Sequence, residues 1–131
     1  MKTLNLELIR SFKPCYDPSR HLEDAWEGTA VDILKNEAIP ADDRLWVVLR
    51  EEVLPDKLLR LFAVSCARDA LALVVNVDPR SLAAVDVAER FANGEATKEE
   101  LDAARSAAWS AAYVLMADKL VELVSACEPV A

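Results

Sequence analysis

Apolar residues recur at three- and four-residue spacing through most of this chain, and the polar residues between them carry signals that start and stop helices. The plainest stretch is 78–112. Asp78 followed by Pro79 predicts a helix start, because the aspartate caps the turn and a proline at the first helical position gives up an N–H that would have no partner there. Leu82, Val85, Ala88 and Ala92, with Phe91 beside them, supply its apolar side, and Asn93-Gly94 tolerate the left-handed backbone that closes a helix. Thr97 and Glu100 then have capping-box spacing and predict a last helix from Lys98 to about Ser125. Along it Leu101, Ala104, Ala108, Ala112, Leu115, Lys119 and Leu123 form one stripe, and the many alanines leave a thin surface that a neighbouring helix can approach closely.

Upstream, the positions Leu58, Leu59, Phe62, Ala63, Cys66, Ala67, Ala70, Leu71 and Val74 predict a long central helix from Pro55 to about Val75. Asp42-Asp43 suit the positive end of a helix with Leu45, Trp46, Val48, Leu49, Val53 and Leu54 as its apolar face, although the run Leu45–Leu49 also fits a buried strand. Thr29 is placed to cap a short helix with Val31, Ile33, Leu34 and Ala38. Asp17-Pro18 repeats the cap-then-proline signal and predicts a helix through Leu22, Ala25 and Trp26, closed at Gly28. Residues 1–16 hold one or two helical turns before Pro14. The expectation is an all-α fold: an irregular bundle of about six helices with a long central helix and a C-terminal capped helical hairpin, in one domain over 1–131.

Composition agrees. With 131 residues the chain is long enough for a core without disulfide or metal staples, and only two glycines, Gly28 and Gly94, interrupt the helix formers. The net charge of −8 disfavours direct contact with nucleic acid or an anionic membrane, and points to a basic partner. The acidic residues gather between Asp17 and Asp43, where only Arg20 and Lys35 oppose them. Such a run is either a solvated face or an interface. Cys15, Cys66 and Cys127 are odd in number and widely spaced, which suggests a reducing, cytoplasmic setting, and Cys66 reads as a small core residue. No signal-like or membrane-spanning apolar run is present.

Candidate chemistry is sparse. His21, Glu23 and Asp24 are close in sequence, but positions i and i+2 on a helix face apart, and no second histidine completes a usual zinc set. The carboxylate pairs Asp42-Asp43, Glu51-Glu52 and Glu99-Glu100 are explained by helix ends and solvent, and neither a glycine-rich phosphate loop nor a Gly-x-Ser-x-Gly nucleophile occurs. The expectation is therefore no catalytic residue, no metal, no cofactor and no enzyme. Trp26, Trp46 and Trp109 read as core anchors, with Trp26 the best exception: an aromatic ringed by carboxylates can grip a basic protein. The candidate partner-binding residues are Glu23, Asp24, Trp26, Glu27 and Asp32, supported by Asp42 and Asp43.

The succession RLWVVLREEVLPDKLLRLFAVSCARDALALV followed by NVDPRSLAAVDVAERFANGEATKEELDAARSAAWSAA, residues 44–112, resembles the Imm-5-like immunity proteins, a helical family of bacteria and phage. The resemblance covers about half of the chain and implies neutralisation of a toxin, with no catalytic residues to carry over. The leading expectation is an acidic, non-enzymatic inhibitor of a basic effector such as a toxin nuclease. Alternatives are a phage-encoded anti-defence protein of the anti-CRISPR type, whose carboxylates imitate nucleic-acid phosphates, and a structural or self-associating helical module that forms a homodimer.

Overall fold

The computed structural model describes residues 2–126, so Cys127 lies outside the described residues. The protein is all-α, with six helices among the described residues: α1 (Leu6–Ser11), α2 (Ala30–Lys35), α3 (Ala41–Val48), α4 (Asp56–Ala72), α5 (Pro79–Ala92) and α6 (Lys98–Ala126). Two-residue strands β1 (Leu4–Asn5) and β2 (Glu27–Gly28) pair antiparallel, with Leu4 opposite Gly28 and Asn5 opposite Glu27. The chain divides into two compact units, Met1–Leu59 and Arg60–Ala131.

The first unit owns a continuous apolar core. Leu4, Ile9, Ile33, Ile39, Val47 and Val48 are fully buried there, and Phe12, Tyr16, Trp26 and Trp46 pack against them. Helices α1 and α2 are each started by a side chain: Asn5 Oδ1 accepts the Leu8 N–H at 2.8 Å, and Thr29 with Asp32 forms a complete capping box on α2. Leu45–Val48 is helical, in α3, which begins after Pro40 with Asp42 and Asp43 in its first turn; the helix stops at Leu49, whose backbone leaves the helical region, so Val53 and Leu54 follow in a turn and do not extend it.

The segment after Asp17 departs from expectation. Asp17 does cap, accepting the Ser19 N–H at 3.0 Å, but only a 3₁₀ turn over Pro18–Arg20 follows. A helix reaching Gly28 would have few apolar residues to bury, and short helices gain little on their own. The chain instead buries Leu22 and returns extended, so that Glu27–Gly28 meets β1 and holds Leu4 in the core.

Two arginines of this unit point inward. Arg44 Nη1 donates to the Leu34 carbonyl at 2.8 Å, and Arg50 Nη2 donates to the Trp46 carbonyl at 2.8 Å. The Arg50 guanidinium lies 4.2 Å from the Phe12 ring centre and 4.3 Å from that of Trp46, a cation held between two aromatic faces.

In the second unit the hairpin forms where its punctuation predicts, with one half of the Thr97–Glu100 capping box made and the Glu100 carboxylate turned to Arg90. Asp78 caps α5 with Pro79 in its first turn, Asn93 ends it, Gly94 has φ +76°, and the Glu100 N–H donates to Thr97 Oγ1 at 3.1 Å at the start of α6. Helices α5 and α6 make the most extensive helix–helix contact in the protein. Polar side chains reinforce the unit: Arg68 bridges Asp86, at 3.1 Å, and Glu89, while Arg90 reaches Glu100 at 3.4 Å and the Glu95 carbonyl at 3.1 Å.

Its apolar burial is thin by comparison, with Val64, Leu101 and Ala111 the buried hydrophobic residues of this unit among the described residues. Two expectations are corrected here. Cys66 is exposed, because the apolar positions of α4 are spread around the helix and Val64 is the one that is buried. Trp109 is 61% exposed, because at its level α5 presents only the small Ala84 beside it, too little to cover an indole.

Candidate partner-binding surface

Gly28 is the pivot of the acidic surface around Trp26. A Cβ built there would lie 2.6 Å from Trp26 Cζ2 and 2.9 Å from Asp32 Oδ2, so the indole and the carboxylate both close over the bare backbone. The Trp26 N–H donates to the Glu23 carbonyl at 2.9 Å, a tight turn that leaves the Glu23 and Asp24 side chains exposed. Glu27, in β2, is exposed as well. Trp26 itself is half-buried, its ring packed on the core of the first unit. Asp32 has a structural task, since its Oδ2 accepts the Thr29 N–H at 2.7 Å and the Thr29 hydroxyl at 3.1 Å.

Asp42 and Asp43 form a separate place. They line a small cavity of about 200 Å³ with Cys15, Tyr16 and Trp46. Burial, and then the negative charge of Asp43, push the Tyr16 phenol above its ordinary value of 10.0, so it stays a neutral donor there. The sequence-derived residues thus fall into two groups, Glu23–Asp32 around Gly28 and Asp42–Asp43 beside Tyr16. Among the described residues no hydrogen bond or ion pair joins one group to the other.

The charge pairing is uneven along the chain. Arg68, Arg80, Arg90 and Lys119 each hold a carboxylate within residues 68–122. None of Glu23, Asp24, Glu27, Asp42 and Asp43 has such a partner among the described residues, and the inward-turned Arg44 and Arg50 bond to backbone carbonyls instead. His21 sits near the Tyr16 ring, with centroids 6.2 Å apart, and among the described residues no cluster of three or more His, Cys, Asp or Glu side chains gathers as a metal ion would require. No helix of the described residues is long and apolar enough to cross a membrane.

Set against models of known protein families, curated proteins and solved structures, the chain matches none. What it can do must therefore be argued from its own surfaces.

Two features outside the acidic surface were not foreseen. A cavity of about 240 Å³ lies between α4, α5 and α6, walled by alanines with Val64, Val85 and Leu101, and reached by Arg60 and Arg105. The second is the apolar face of α6 from Trp109 onward, where Trp109, Tyr113, Met116, Leu120 and Leu123 are all more than half exposed. Its signal was present in the sequence as a repeated four-three spacing, beside the stripe that runs through Leu101, Ala104 and Ala108 and meeting it at Leu123.

Proposed function

We propose that the protein is a non-enzymatic inhibitor that docks onto a basic effector protein through the carboxylates of its first unit. The observation that carries this reading is the absence of ion-pair partners for Glu23, Asp24, Glu27, Asp42 and Asp43 among the described residues. An exposed carboxylate with no internal cation gives up no existing ion pair when an arginine or lysine from outside approaches. A surface of such groups also steers a cationic partner over distances on the order of the ~8 Å screening length in physiological salt. Trp26, half-buried beside Glu27 and Asp32, provides apolar area at the centre of that surface. The resemblance of residues 44–112 to Imm-5-like immunity proteins makes a toxin nuclease the effector of choice.

The test is capture from a lysate of the host, using as bait the wild-type chain and a chain carrying Glu23→Lys, Asp24→Lys and Glu27→Lys. A basic protein held by the first bait, released by moderate salt and lost from the second supports the reading. Identical retention by both baits removes it. Adding DNA to the captured complex asks a narrower question: displacement by DNA means that the carboxylates occupy a nucleic-acid-binding surface.

A further inference from the structure

We propose that two copies of this chain associate through the C-terminal half of α6, helix against helix. Helix α5 has 14 residues and α6 has 29. At 1.5 Å per residue these are about 21 and 44 Å, so α5 can accompany only half of its neighbour. The buried residues of α6, Leu101 and Ala111, both lie in the accompanied half. From Trp109, beside the end of that half, to Val124, nine large apolar side chains are 55–64% exposed. Six of them, Trp109, Tyr113, Met116, Leu120, Leu123 and Val124, share one side of the helix, and an apolar face of this extent marks a surface that is covered when the protein works.

The pattern on that face says what covers it. Trp109, Tyr113, Met116, Leu120 and Leu123 follow one another at four, three, four and three residues, the spacing of a coiled-coil seam. A seam of this kind is matched by another helix with the same spacing, and a second copy provides one in a closed, two-fold contact. The groove along it, about 530 Å³, is lined by Tyr113, Met116, Leu120 and Leu123 beside the small Ala117, which lets a helix come near. Stable interfaces bury about 800 Å² from each partner, and the six large side chains on this side, each more than half exposed, supply apolar area of that order.

Charge selects among the possible occupants. Between Trp109 and Ala126 the charged residues are Asp118, Lys119 and Glu122, and Lys119 already pairs with Glu122 at 3.2 Å. In a chain of net charge −8 this is the stretch where two copies repel each other least. A basic protein finds little to hold there, and a lipid surface would favour a helix with more lysine and arginine on its polar side. An antiparallel arrangement keeps Glu95, Glu99, Glu100 and Asp102 of the two copies at opposite ends, and is therefore the orientation expected. This association is independent of the acidic surface proposed to bind an effector.

Sedimentation of the full chain up to about 100 µM tests it, since mass action makes an association visible through its concentration dependence. The expected result is a species of twice 14.4 kDa. Met116→Glu with Leu120→Glu should weaken it at least about 100-fold, because two unpaired carboxylates would have to be buried. Circular dichroism checks that the variant keeps its helices. A second measurement needs no variant: amide exchange over 113–123 should slow as wild-type concentration rises. A monomer at the top concentration, a helical variant that associates as tightly as wild type, exchange independent of concentration, or a face covered only when zwitterionic vesicles are added would each overturn the proposal.

Discussion

The indole of Trp26 lies so close over Gly28 that a methyl group on Gly28 would fall 2.6 Å from Trp26 Cζ2. Asp32 closes the other side, with its own Cβ 3.1 Å from the same point. The glycine is therefore required by space, since its backbone is an ordinary extended one in β2. Gly28→Ala should destabilise the first unit by about 1–3 kcal/mol, the usual cost of overpacking. Denaturant unfolding measures the loss, and the emission of Trp26 should change in the folded state as its ring is pushed outward.

Arg50 acts as a packing residue as much as a charge. Its guanidinium stands between Phe12 and Trp46 and donates to the Trp46 carbonyl, with its Nε buried and unbonded. Arg50→Ala should cost about 1–2 kcal/mol through the two aromatic faces. Arg50→Lys should recover only part of this, because an ammonium cannot stack as a plane. Thermal unfolding of the three proteins orders them.

At the start of α5, hydrogen bonds from the Arg80 side chain and backbone hold the Asp78 carboxyl below its ordinary value of 3.8. A carboxyl lowered on folding stabilises the folded state above its unfolded value and ceases to do so as pH falls through the folded one. Asp78→Asn should therefore be less stable than wild type at neutral pH, with the gap closing below about pH 3.8. A pH series of unfolding curves for both proteins tests this, and a gap that stays constant down to pH 2 would contradict it.

Cys15 and Cys66 are both exposed, so each should react with a thiol reagent in the native protein. Cys66→Ser should remove one rapidly labelled site. A Cys66 that reacts only after denaturation would restore the core position that its helical spacing first suggested.

The helix ends were the most legible part of the sequence, because capping is local chemistry. Asp78-Pro79, Asn93-Gly94, Thr97 and Thr29 each carry their own donors, acceptors or backbone freedom, and each does in the structure what that chemistry dictates. Burial was less legible, since periodicity tells which residues share a face but not whether anything lies against it. Cys66 and Trp109 both sit in apolar patterns and are both exposed. The strand pairing could not be read at all, because Leu4 and Gly28 meet only after the chain has turned at Asp17 and again at Trp26. In the acidic surface, the exposed positions of Glu23, Asp24 and Glu27 follow from composition, whereas the engagement of Asp32 in the α2 cap is also written in its spacing from Thr29.

Leu4 and Asn5 act as a latch on residues that are synthesised much later. Leu4 is completely enclosed, yet the core it belongs to also includes Ile33, Val47 and Val48, so that core is complete only when some forty more residues have followed it. Helices α5 and α6 have no such delay, because their contacts are near neighbours in the chain and near neighbours find each other fastest. Cutting away the first five residues should therefore leave the α5–α6 hairpin able to zip while the first unit loses the bolt that fastens its loop.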